Sequence, residues 1–140
     1  MGYDLSNSSG AYVRFTDSGW SLALAIAEHY GWEPAGIPKP LSWDEKEYGP
    51  WEDDYWMNAG QQVTAEDAAA LTVALDRAVA AQDFVETVVR IRDEQSDRLA
   101  EHNPSWRDSL PAASREQAEA FRARLVEFAS LTRQGPFMIE

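Results

Sequence analysis

The sequence predicts a mainly α fold: three to four packed helices, a small β element from the chain termini and a long aromatic-rich loop. Three observations carry this. Apolar residues recur at spacings of three and four in several stretches that open on a capping side chain. Short alternating or apolar runs lie towards the two ends, at 3–16 and 137–139. Residues 31–62 contain Pro34, Pro38, Pro40 and Pro50, which break helices, yet also Trp32, Trp43, Tyr48, Trp51, Tyr55 and Trp56. The 140 residues suit a single domain, 1–140.

Tyr3-Asp4-Leu5 and Tyr12–Thr16 read as extended segments around the turn-forming Asn7-Ser8-Ser9-Gly10, because Val13 and Phe15 alternate with polar or amphipathic neighbours. A first helix is expected at 17–30. Asp17 or Ser18 caps it, Trp20, Ala23, Ala27 and Tyr30 share a stripe, and Gly31 stops it in a left-handed turn. The aromatic content of 31–62 predicts an ordered loop folded over the core, since disordered linkers lack such residues.

Thr64-Ala65-Glu66-Asp67 resembles a capping box, with the Thr64 hydroxyl accepting from the Asp67 amide and the Asp67 carboxylate reaching back to the Thr64 amide. The helix it opens buries Ala68, Leu71, Leu75, Ala78 and Val79 and ends near Ala81. Another begins near Asp83 with Phe84, Val88, Ile91 and Leu99 on its stripe, unless the two form one kinked helix. Gln95 interrupts that stripe and predicts a more solvated second half. Residues 103–113 form a connection containing Trp106 and Pro111. Ser114–Gln117 is a second capping box, opening a helix with Ala118, Phe121, Leu125, Phe128 and Leu131 inward and Gly135-Pro136 at its end. The apolar Phe137-Met138-Ile139 is expected to pair with the N-terminal strands.

The chain holds 24 acids against 12 bases, a net charge of −12, and no cysteine. Disulfides, thiol nucleophiles and thiolate-held metals are excluded. Residues 1–62 have ten acids against Arg14, Lys39 and Lys46, a net −7, so the acid excess concentrates in the first half. Such a field repels phosphate backbones and anionic lipid and attracts basic proteins, so neither nucleic acid nor a membrane is expected as partner. No basic n-region or membrane-length apolar run is present, which with the absence of cysteine predicts a cytoplasmic location. Arginine outnumbers lysine ten to two, a bias that suggests a bacterial source with a GC-rich genome.

Catalytic signatures are lacking. His29 and His102 both fall at helix ends, where the dipole favours an imidazolium, and neither sits in a metal-ligand spacing. Asp44, Glu45, Glu47, Glu52, Asp53 and Asp54 cluster without the register of a calcium loop and read as a solvated rim around the tryptophans. No glycine-rich phosphate loop or serine elbow occurs, so no metal or cofactor is expected and no catalytic residue is assigned.

The segments Met1–Leu5, Tyr30–Gly36, Tyr55–Val63 and Asp67-Ala68 make the chain similar to a set of small uncharacterised bacterial proteins that share a YGWxPxG segment and a YxxNxGQxV segment leading into a helix. Phe121, Phe128, Arg133 and Gly135–Ile139 resemble their ending, with Pro136 where a second glycine is expected. The resemblance implies an intact domain and supplies no mechanism.

These readings predict a small acidic interaction protein with a basic protein as partner. The alternative is a small-molecule binder or enzyme with a pocket walled by Trp32, Trp43, Trp51, Tyr55 and Trp56, and a homodimer through the aromatic loop is a third arrangement. The candidate binding residues are Trp43, Trp51, Tyr55, Asn58 and Gln61. Trp32 and Trp56, beside helices, are expected to be buried, and Trp43 and Trp51, among acids, more exposed.

Overall fold

A computed structural model describes residues 2–102 and 114–140, and the expected 103–113 connection lies outside them. In chain order the described elements are β1 (Gly2–Ser6), β2 (Tyr12–Thr16), α1 (Asp17–His29), α2 (Glu45–Tyr48), β3 (Gln61–Val63), α3 (Ala65–Ala80), α4 (Phe84–His102), α5 (Arg115–Arg133) and β4 (Phe137–Ile139). Four long helices dominate, but the β element is larger than the sequence predicts. It is a four-stranded antiparallel sheet in the order β2-β1-β4-β3. The fold is therefore mixed α/β with helices in the majority.

The termini do supply three of these strands. β1 and β2 pair from Gly2↔Thr16 to Ser6↔Tyr12, and β4 joins through Leu5↔Ile139 and Ser6↔Met138. The fourth, β3, comes from the end of the aromatic loop, with Gln61 and Val63 inward and Gln62 outward. Three residues are too few for a period of two to be legible. The inward faces of Leu5, Val13, Phe15, Val63, Phe137 and Ile139 form one side of the core.

The helices close the other side. Trp20, at 0% exposure, sits where α1 meets the sheet, with the Phe15 and Phe128 rings 5.9 and 5.5 Å away. The cap of α1 is Thr16, not Asp17 or Ser18: its hydroxyl accepts from the Gly19 amide at 3.0 Å. Strand β2 runs into the helix without a linker, so its last extended residue occupies the cap. At the other end the Gly31 amide reaches Glu28 O at 3.1 Å and the Trp32 amide reaches Ala27 O at 2.9 Å. With Gly31 at φ +109° this is a Schellman ending, and it turns Trp32 into the core.

Helices α3 and α4 are separate, because Ala81 is extended at ψ 136°. Arg122 of α5 secures the break by donating to Val79 O while its guanidinium lies 4.4 Å from the Phe84 ring centroid. Ser114 caps α5 through the Gln117 amide at 3.0 Å. Several expected core positions are only partly covered. Phe121 and Val79 are half-buried, and Leu99 is exposed.

Candidate functional site

Residues 31–62 fold back on the start of α3, and a buried carboxylate fixes them there. Thr64 caps α3 as expected, accepting from the Asp67 amide at 3.2 Å. The Asp67 carboxylate does not return the bond to Thr64. It lies at 1% exposure and accepts from Trp32 Nε1 at 2.9 Å and from the Tyr55 hydroxyl at 2.5 Å, with the Ala35 amide at 3.5 Å. These donors and the positive end of the helix compensate a charge that would otherwise be costly to bury. The Tyr55 oxygen in turn accepts from the Gly36 amide at 2.9 Å, and its ring meets Trp32 edge-on at 5.2 Å. Burial, followed by the hydrogen bond to Asp67 and the charge of that carboxylate, pushes the Tyr55 hydroxyl well above its ordinary pKa.

Gly36 permits the close approach. Its φ is +90°, and a Cβ there would come within 3.2 Å of Asp53 Cβ. Gln61, fully buried, ties down the later part of the loop. Its amide donates to Asp54 O at 3.1 Å and to Met57 O, and its oxygen accepts from the Ala59 amide at 2.9 Å.

Each predicted binding residue can now be placed. Tyr55 and Gln61 face inward, and their polar atoms bond to the protein itself, so they hold the loop in place. Trp43 and Trp51 are half-buried, not open. Their rings meet at 5.0 Å and 70°, and their indoles donate to Gly49 O at 2.9 Å and Ile37 O at 2.6 Å. Asn58 is exposed, with its amide 3.4 Å from Gly2 O. Trp32 is buried as expected, but Trp56 is 49% exposed. The Trp56 carbonyl accepts from the Tyr3 hydroxyl at 2.6 Å, which fixes its backbone and leaves the ring outside. The expectation of burial, which rested on Trp56 lying beside a helix, thus fails for this ring.

The outward side of this segment exposes Leu41 and Met57, which the sequence did not single out, beside Tyr48, Trp56 and the acidic rim, which it did. Leu41 is fully exposed, and Tyr48, Trp56 and Met57 are exposed as well. Around them Asp44, Glu45, Glu47, Glu52 and Asp53 all face solvent. The segment is internally tied: Tyr48 lies 5.2 Å from Trp43, and Ser42 Oγ donates to Ala59 O at 3.0 Å. Beside it, the strap 38–42, the edge strand β3 and Pro136 enclose an apolar cleft of about 640 Å³. None of Trp43, Trp51, Tyr55, Asn58 or Gln61 lines that cleft. A proline-rich stretch next to a short strand signals the cleft only weakly in sequence.

Among the described residues no three metal-ligating side chains converge, and no helix is long and apolar enough to cross a membrane. Compared with protein-family models, curated proteins and solved structures, the chain shows no match.

Proposed function

We propose that this chain is a cytoplasmic interaction protein whose 38–57 face receives a basic partner protein. One observation carries the reading. Leu41, Tyr48, Trp56 and Met57 stand exposed in one pinned segment that also presents five solvent-facing acids against Lys39 and Lys46. Exposed aromatic and aliphatic side chains supply contact area, and the acids select and steer a cationic surface. Lys39 pairs with Glu45 at 3.4 Å, so these two offset each other and Asp44, Glu47, Glu52 and Asp53 stand against Lys46 alone. The adjoining cleft offers room for an apolar side chain of the partner. A second copy of the chain is a poor occupant, since two-fold pairing through this face would set acids against acids.

The test is affinity capture from an extract of the source cells by the purified chain at low and high salt, followed by reconstitution with the captured protein. The expected result is a strongly basic protein held at low salt and released at high salt. A Leu41→Asp/Trp56→Ala variant, with an unchanged melting temperature, should fail to hold it. A captured set indifferent to both the substitutions and the salt would refute the reading.

A further inference from the structure

A second cleft, of about 440 Å³, opens between the first turns of α1 and the second half of α4. Ser18 and Ser21 line one wall, and Arg92, Gln95, Arg98 and His102 the other. We propose that it binds a small organic dianion, a phosphate monoester or a dicarboxylate.

The argument begins with the interrupted stripe of α4. Phe84, Val88 and Ile91 pack inward, but the next position is Gln95. Its amide donates to Ser21 O at 3.2 Å and lies 3.3 Å from Ser21 Oγ. A polar contact thus replaces apolar interlocking between α1 and α4, and beyond it the described residues leave a cleft whose walls set polar side chains on largely apolar surface. Arg92, Gln95, Leu99 and His102 follow at spacings of three and four, so they share the helix face that borders this space.

The charges on that face stand out in a chain of net −12. No carboxylate lines the cleft among the described residues. Six of the nine described arginines hold a carboxylate in an ion pair, whereas Arg92 and Arg98 hold none there. A guanidinium presents a planar fork of N–H donors that matches the paired oxygens of a phosphate or carboxylate. The serine hydroxyls and the Gln95 oxygen suit a hydroxylated body, and Leu99 supplies an apolar wall. Asp17, Asp93, Asp97 and Glu101 stand on the same two helices outside the lining. They oppose a long polyanion and leave the advantage to a ligand small enough to sit on the two arginines.

The experiment is a titration of the whole chain, followed by amide NMR, with ribose 5-phosphate, succinate and, as the neutral control, ribose. At least one anion should shift the amides of Ser18, Ser21, Gln95 and His102 in a saturable way, and ribose alone should not. The more effective anion identifies the source of the charge. Arg98→Gln, at an exposed position, should weaken that binding by about tenfold or more with an unchanged melting temperature, and so should Arg92→Gln if it folds. Failure of both anions to shift these amides, equal shifts with ribose, or undiminished binding by Arg98→Gln would overturn the proposal.

Discussion

The Asp67 carboxylate gives one oxygen to the Trp32 indole and the other to the Tyr55 hydroxyl, and these two bonds pin the loop to the start of α3 at Trp32 and at Tyr55. Each is made in the interior, so loss of the acceptor leaves a buried donor unsatisfied at about 1–3 kcal/mol. The Tyr55 bond also makes stability pH-dependent. Burial, the bond to Asp67 and its charge raise the hydroxyl's pKa above the ordinary 10 in the folded chain. This contribution is complete below the unfolded value and is lost as pH rises through 10 towards the folded value, because the unfolded chain releases a proton that the native one retains. Tyr3, Tyr12 and Tyr30 are raised too, so the comparison must be with Tyr55→Phe. Denaturant melts at successive alkaline pH values should fall more steeply for the parent than for the variant. Equal slopes would mean that Tyr55 ionises as it does in the unfolded chain. The Thr64 cap was legible from a four-residue pattern. The destination of the Asp67 carboxylate was not, because its partners lie 35 and 12 residues away.

At the scale of elements, the long helices were the most readable parts, and their faces less so. The 3-4-3-3 spacing of α5 identifies a stripe, but the stripe does not say which turn reaches the middle of the molecule. Phe128 does: it is fully buried and meets Phe15, Trp20 and Phe137 with ring centroids 5.5 to 5.9 Å away. Phe121, two turns earlier, touches Phe15 at 6.2 Å but remains half-buried. Phe128→Ala should therefore cost about 3–5 kcal/mol in chemical denaturation, and Phe121→Ala clearly less. Equal costs would mean that both ends of α5 are equally enclosed. Strand β3 was missed for a different reason. Its inward residues are one glutamine and one valine, and the glutamine is buried to bond the loop behind it, so polarity hides the alternation.

At the scale of the whole molecule, the sheet and the four long helices form the scaffold, and residues 31–62 form a layer with two sides. The inner side belongs to the core through Trp32, Ile37, Tyr55 and Gln61. The outer side presents Leu41, Tyr48, Trp56 and Met57 among acids. Composition announced that this segment was ordered and acidic, but it could not assign sides, since tryptophan and tyrosine serve both burial and recognition. The division between sides is the central claim, and a paired thermal melt tests it most directly. Asp67→Ala breaks the inner side and should lower the melting temperature by roughly 10 °C, from two unsatisfied buried donors. Leu41→Ser/Trp56→Ser alters only exposed side chains and should change it by no more than about 2 °C. A large drop for the outer pair, or none for Asp67→Ala, would contradict the account.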